Sequence, residues 1–338
     1  MTKKIRIGVL GCANIARRSM IPAIIELGGY FELAGIASRN AAKAASWAVE
    51  LGCAAYDDYT QLVTAPDVDA LYIPLPSGLH KEWVNKALLA GKHVYGEKSI
   101  ASCYADAVAM VANAGTYRLA LMEGFMFQYH HQHQEVKLLL ASGAIGELRH
   151  FHSSFGFPPL PDGDFRYDNE LGGGVLLDAA SYPLRAAHFL LGEQFEVKAA
   201  ALHHSVAKGT QTYGSAFLAN QHGVGASLAF SFDNFYQCRY ELVGQTGKIT
   251  AERAFTPRPD FSPKIVIETS SGARIIEVKP DNHFVKALLT FYAAIHRHET
   301  RAVLYREILL QSNSLEQIKR LGLIGERPLN EHERLHEK

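Results

Sequence analysis

The chain has 338 residues, enough for about two domains and for a full core without covalent staples. Lys plus Arg (34) equals Asp plus Glu (34), so the formal net charge is zero, which argues against nucleic acid as a main partner and against a polybasic membrane anchor. Hydrophobic residues at 48% and charged residues at 20% exclude wholesale disorder, and four scattered cysteines (Cys12, Cys53, Cys103, Cys238) with no CxxC pair exclude a disulfide framework or zinc ribbon.

The N-terminus, MTKKIRIGVLG, passes from charge straight into a β-like run, with no signal-peptide pattern. No apolar stretch reaches roughly 18 residues, so the expectation is a soluble, cytoplasmic protein. Lys4–Gly8 reads as a strand, Asn14–Leu27 as a helix, Phe31–Ala37 as a strand and Ala41–Leu51 as an Ala-rich helix. The alternation continues through Ala70–Ile73, Val84–Leu89, His93–Tyr95, Ala105–Asn113 and Leu119–Met122. Short apolar strands separated by helices predict an α/β domain with a doubly wound parallel sheet over residues 1–124.

Beyond that point the pattern changes. Gln132–Ser142 reads as one more helix. Leu148–Gly156, Phe195–Val206, Tyr213–Leu218, Val224–Phe232, Arg239–Val243 and Lys264–Glu268 then read as strands. One helical stretch, Gly172–Leu190, interrupts them, and His283–His296 and Ile308–Lys319 are helical near the end. Strands in runs predict a second, α+β domain over residues 125–338 with a large, mostly antiparallel open sheet.

The first strand runs into Gly11-Cys12-Ala13-Asn14-Ile15-Ala16, where Gly11, Ala13 and Ala16 occupy the places of G-x-G-x-x-G/A. The first place allows a tight turn, the second lets backbone approach a pyrophosphate, and the third lets helix and strand pack closely. Backbone amides from Gly11 through Cys12, Ala13, Asn14 and Ile15 would then hold the phosphates. Ala13 in the second place is a departure, and the same turn also serves other α/β folds. The second strand ends Ile36-Ala37-Ser38-Arg39-Asn40 without the acid that would bind an adenosine ribose. Ser38 and Arg39 suit a 2′-phosphate, and Lys43 one turn later adds charge, so the expected cofactor is NADP(H).

Four motifs follow in one order: the Gly11 turn, Tyr72-Ile73-Pro74-Leu75-Pro76-Ser77-Gly78-Leu79-His80, Gly91-Lys92-His93-Val94-Tyr95-Gly96-Glu97-Lys98, and Gly172-Gly173-Gly174-x-x-x-Asp178. The chain resembles the glucose–fructose oxidoreductase/inositol dehydrogenase (Gfo/Idh/MocA) family over nearly its whole length. The resemblance implies a Rossmann domain followed by an α+β domain whose sheet mediates homodimers or homotetramers. It implies that Glu97 and Lys98 match a Glu-Lys-Pro motif beside nicotinamide and substrate, with Ser99 in place of the proline. Asp178 matches the aspartate of an Asp-x-x-x-His motif, with Tyr182 in the place of the histidine. That tyrosine variant is similar to dihydrodiol and xylose dehydrogenases and to nucleotide-sugar 3-ketoreductases. The strings Glu123-Gly124-Phe125-Met126-Phe127 and Phe165-Arg166-Tyr167-Asp168 look most similar to the ketoreductases. Leu75, Pro76 and His80 fall in the loop that borders the nicotinamide in this family. His80 either packs that loop or touches the cofactor.

Reducing a ketone by hydride leaves an alkoxide that needs a proton and a positive neighbour. Tyr182 can supply the proton and Lys98 the charge, while Asp178, one helical turn before Tyr182, would orient a sugar hydroxyl. A phenol with a pKa of about 10 is already an acid at neutral pH. Acting as a base would require lowering that pKa by roughly 2–3 units, or about 3–4 kcal/mol. One ammonium about 4 Å away supplies about that much at an effective dielectric near 20. Reduction is therefore the easier direction. Arg166 can serve a substrate diphosphate, the cofactor across the cleft, or a plain salt bridge. The expectation is an NADP(H)-dependent sugar oxidoreductase, most simply reducing a nucleotide-linked keto-deoxysugar. The alternatives are a dihydrodiol or aldose dehydrogenase and a non-catalytic dinucleotide-binding regulator. His332-Glu333-Arg334-Leu335-His336 spells HExxH, but nothing follows to give a third zinc ligand, so no metal is expected.

Overall fold

The computed structural model describes residues 3–324. β1 (Ile5–Leu10), β2 (Phe31–Ala37), β3 (Ala54–Tyr56), β4 (Ala70–Ile73), β5 (His93–Gly96) and β6 (Leu121–Glu123) form one sheet. Its order is β3-β2-β1-β4-β5-β6, and all neighbours run parallel. The order reverses between β1 and β4, which opens a crevice at the carboxyl ends of those strands. All four residues of β4 are buried, as helices on both faces require. β3 was not expected from the sequence, because three residues at a sheet edge, two of them exposed, show no period. The helix Ala41–Leu51 starts at Asn40, whose side chain accepts from Lys43 N at 3.0 Å, and stops at Gly52 with φ 64°.

The second sheet contains β7 (Leu148–Gly156), β8 (Glu196–Ser205), β9 (Thr210–Ala219), β10 (Gly225–Ser231), β11 (Gln237–Gly244), β12 (Gly247–Glu252), β13 (Lys264–Thr269) and β14 (Gly272–Glu277). Its order is β14-β13-β12-β11-β7-β10-β9-β8. Every pair is antiparallel except β7 with β10. β12 and β14 were not expected as strands: β14 buries none of its residues, and β12 buries only Ile249 and Ala251, too short an alternation to stand out.

The helix read from Gly172 starts later, with a wide π-type turn over Leu176–Ala180 that continues as Ser181–Leu191. The glycines before it serve a different purpose. Gly78 N donates to Leu171 O at 3.0 Å, and a Cβ on Gly78 would lie 2.3 Å from Glu170 O. A Cβ on Gly172 would lie 2.6 Å from Gly78 N, and one on Gly173 would lie 2.6 Å from the carbonyls of Arg166 and Asp168. These are places where main chain meets main chain and no side chain fits. They dock the loop 166–174 onto the start of helix Ser77–Leu89.

The last two helices return to the first sheet. Helix His283–His296 packs Phe284, Ala287, Leu288 and Phe291 into the core of Ile7, Tyr72 and Tyr95. The 27-residue helix His298–Ile324 is continuous where a shorter one was expected. It buries Leu304 and Ile308 with the first sheet and Leu315 and Ile318 with the second. Gln311 Nε2 on it donates to Ser181 O at 2.9 Å, and Glu307 pairs with the buried Arg185. This strut fixes the two layers around the crevice. No helix among the described residues is long and apolar enough to cross a membrane. The HExxH string lies outside the described residues, and among them no cluster of three metal-ligating side chains occurs.

Candidate active site

A cleft of about 1580 Å³ opens at the β1/β4 crevice and extends over the second sheet. That exceeds the roughly 300–1,000 Å³ of a pocket for one small ligand. Gly11, Cys12, Ala13, Asn14, Ile15, Ser38, Arg39, Lys43, Leu75, Pro76, Glu97, Lys98, Arg166, Asp178 and Tyr182 all line it. His80 does not. It is fully buried behind the loop, and its Nδ1 donates to Ser99 O at 3.1 Å. Burial pulls its ring to about 4, so it is a neutral support for the loop.

At one wall, Gly11 has φ 125° and its N donates to Ala37 O at 2.9 Å, tying the turn to the end of β2. At that φ any side chain is strained, and a Cβ would also press on Leu75 Cδ2 at 2.9 Å, so the turn calls for glycine. Ser38 Oγ accepts from Asn40 N at 3.2 Å, and Lys43 Nζ donates to Cys12 O at 2.8 Å. Arg39 forms no ion pair among the described residues and stands exposed at the cleft. A backbone cradle beside an unpaired guanidinium fits a dinucleotide with an extra phosphate.

At the other wall the charges are matched. Lys98 Nζ donates to Asp178 Oδ1 at 2.5 Å and to Asp178 O at 3.1 Å. Arg166 Nε donates to Asp178 Oδ2 at 2.9 Å, and its Nη1 pairs with Asp164 Oδ1 at 3.1 Å. Both Asp178 oxygens therefore already accept from a cation. Burial raises the Asp178 carboxyl, but Lys98 and then Arg166 outweigh it and hold it below the ordinary carboxylate range. Ser99 Oγ donates to Leu177 O at 3.0 Å, so the loop grips the helix that bears Asp178.

Tyr182 lies on that helix, with its ring centroid 4.7 Å from Phe155, 5.6 Å from Phe255, 5.9 Å from Phe125 and 6.0 Å from Phe127. Lys98 Nζ sits 5.0 Å from the Tyr182 ring centroid. Burial first, then the charges of Glu97 and Asp178, push the Tyr182 phenol well above its ordinary value. It is a proton-bearing group at any physiological pH.

Sequence reasoning quoted Tyr72, Glu97 and Glu123 within motifs but missed the layer they form beneath these residues. Tyr72 OH donates to Glu97 Oε1 at 2.7 Å, and burial raises the Glu97 carboxyl. Glu123 Oε1 accepts from Ile100 N at 2.9 Å, and burial lifts its carboxyl to about 7. Asp164, two residues before Arg166, was also missed, although an aspartate accepting from the N–H two residues on is a recognisable turn signal. The four phenylalanines around Tyr182 come from three separate segments, and no local spacing reveals that.

Two family models match the chain: an oxidoreductase-family, NAD-binding Rossmann fold over residues 5–125, and a GFO/IDH/MocA C-terminal domain over residues 133–250. The chain is 43% identical over 292 residues to a dTDP-3,4-didehydro-2,6-dideoxy-alpha-D-glucose 3-reductase of Saccharopolyspora spinosa, covering 86% of this chain and 87% of the relative. It is 32% identical to a D-xylose 1-dehydrogenase (NADP(+)) of Haloferax volcanii, covering 88% and 90%. Among solved structures, a 3-ketoreductase of Actinomadura kijaniata in complex with NADP and TDP-benzene superposes with a TM-score of 0.91 at 37% identity, covering 94% and 98%. The chain belongs to the GFO/IDH/MocA oxidoreductase family.

Proposed function

We propose that this protein is an NADP(H)-dependent reductase of a keto group on a nucleotide-linked deoxysugar, acting in the cytoplasm. Residues 1–124 hold the dinucleotide, and residues 125–338 hold the substrate and associate with copies of the chain. One observation carries the reading: a buried, proton-bearing phenol, Tyr182, lies beside the Lys98 ammonium on the wall of a two-ligand cleft. The 3-reductase relatives and the TDP-benzene and NADP complex support it.

Gly11 to Ile15 would cradle the pyrophosphate, and Ser38 and Arg39 the additional phosphate, with Lys43 beside them. The bound reduced dinucleotide supplies the hydride. Tyr182 gives its proton to the oxygen of the former ketone, and Lys98 stabilises the negative charge that develops there. Asp178 holds Lys98 and Arg166 in place and retains lone pairs for a sugar hydroxyl. Oxidation would require Tyr182 as a phenolate, and its burial among phenylalanines and carboxylates opposes that. The aldose dehydrogenase reading, drawn from the xylose dehydrogenase relative, is therefore second. Keeping an acid and a charge together on the substrate side argues against a pure sensor. The open face of the second sheet, with Tyr213, Phe217 and Ile275 exposed, is the surface we assign to homodimer or homotetramer contacts.

The test follows NADPH absorbance with a dTDP-linked 3-keto-deoxysugar, and NADP+ reduction with free aldoses. NADPH consumption by the nucleotide-linked ketone is expected. Turnover confined to free aldoses, or tight dinucleotide binding with no turnover of either class, overturns the reading.

A further inference from the structure

One end of the cleft carries cations that the reaction does not use. Arg18 and Ser19, on the helical turn Ala16–Met20, line it from the first sheet's side. Thr256, Pro257 and Arg258, on the loop after β12, line it from the second. That loop is anchored at its base: Gln132 Nε2 and His133 Nε2 donate to Ala254 O at 3.3 and 2.9 Å, and Phe255 N donates to Cys238 Sγ at 3.3 Å. Rings then bridge to the opposite side, with His133 6.5 Å from His130 and His130 5.9 Å from His283. Helix His283–His296 packs directly on the turn that bears Arg18. The two arginines therefore line one cleft, Arg18 from the first layer and Arg258 from the second.

Their charge is available. Lys98 and Arg166 are matched by Asp178 and Asp164. Arg18 forms no ion pair among the described residues. Arg258 Nε meets Asp260 at 3.3 Å with the two side chains 80% and 73% exposed, a weak contact that leaves its terminal nitrogens free. Next to this end, Tyr236 borders both the cleft and a hollow of about 530 Å³ shared with Phe235, Arg239 and Arg253. The Arg253 guanidinium lies 4.8 Å over the Tyr236 ring, and Tyr236 OH is 3.4 Å from Thr256 Oγ1. Tyr182, Thr256 and Tyr236 all line the cleft.

We propose that this end of the cleft is the site for the nucleoside diphosphate of the substrate. Arg18 and Arg258 grip the diphosphate from the two layers, and the base lies in the hollow against Tyr236 and Phe235. The guanidinium fork matches phosphate oxygens, and aromatic faces stack a base. The inference rests on the keto-sugar reading and names the residues that make a nucleotide-linked sugar, rather than a free one, its substrate.

Calorimetric titration of NADP-loaded protein with dTDP tests it. Wild type should bind dTDP, Arg18→Ala and Arg258→Ala should each weaken that binding by about tenfold or more, and the double variant by about a hundredfold. NADP+ affinity should stay within about twofold in each variant. Undiminished dTDP binding in both variants overturns the clamp, and leaves the keto-sugar reading standing if wild type turns over the dTDP-sugar. A parallel loss of NADP+ affinity in Arg18→Ala assigns that arginine to the cofactor and also overturns it. Arginine-dependent dTDP binding without turnover of any keto-sugar supports the clamp and sinks the reaction. No dTDP binding by wild type overturns the clamp outright.

Discussion

The two walls of the cleft handle positive charge in opposite ways. At the end of β2, Arg39 has no carboxylate partner among the described residues, and Lys43 is held by the Cys12 carbonyl and the face of the Trp47 ring. On the second wall, Lys98 and Arg166 are locked by Asp178, and Arg166 also by Asp164. An unmatched cation attracts an anionic ligand and contributes through charge. A matched pair contributes little net charge, but it fixes the position of an ammonium within a fraction of an ångström, as a reacting centre needs. In the proposed reaction the first wall serves binding and the second geometry.

The sharpest break of that contrast is at Tyr182, the proton donor of the proposed reaction. Tyr182→Phe keeps the aromatic packing with Phe155 and Phe255 and removes the proton. A fall in kcat of about 10²–10⁴ is expected, with dinucleotide affinity unchanged in a fluorescence titration. Wild-type kcat in the variant would show that the proton comes from elsewhere.

The binding wall is tested next. Arg39→Ala should weaken NADPH by about 10- to 100-fold and leave NADH unaffected, since in the proposed site only the extra phosphate would meet the guanidinium. The NADPH affinity of wild type should also fall with added salt more steeply than that of the variant. Equal losses for both dinucleotides would place Arg39 outside the phosphate site.

Asp178→Asn turns the second wall into a copy of the first. Lys98 and Arg166 lose their shared charge, and a cost of about 2 kcal/mol in unfolding free energy is expected, moderated because the group is only partly shielded. Its pH dependence has a definite sign. The folded carboxyl is held below its unfolded value, so its contribution is complete above that unfolded value and is lost as pH falls through the folded one. Denaturant melts of wild type and variant should therefore converge in strong acid.

The sequence made the binding wall more legible than the geometric one. A glycine at a tight turn and an arginine in place of an acid act through local backbone and charge, and both lie within a few residues of a strand end. The Lys98, Asp178 and Tyr182 triplet was reached through motif order, while its supports came from places that spacing does not join. Gly78 and Gly172 let two backbones touch beside this triplet's loop, a contact no hydrophobic period records. The parallel sheet and six of the eight later strands followed from pattern; β3, β12 and β14 did not, because edge strands and short strands with few buried positions carry no pattern.

The smallest expected effect lies under the geometric wall, at Glu123. Its folded carboxyl is raised to about 7 from 4.5, so the folded state holds a proton that the unfolded chain has already released. Stability from this group is present below the unfolded value and is lost as pH rises through the folded one. Between pH 6 and 8 that loss comes to about 1.4 kcal/mol, one pKa unit's worth of free energy. The buried histidines work in the other direction. His80, His130 and His283 are neutral in the fold, with values lowered to about 4, 4 and 3, so they add stability as pH climbs towards 6.5. The comparison that isolates Glu123 is therefore the difference between wild type and Glu123→Gln, in which the histidine background cancels. The amide keeps an acceptor for Ile100 N and cannot ionise, so the variant should gain on wild type by that amount across the interval. A constant difference across the interval would mean that Glu123 is already ionised in the fold, with Arg185 supplying the compensating charge.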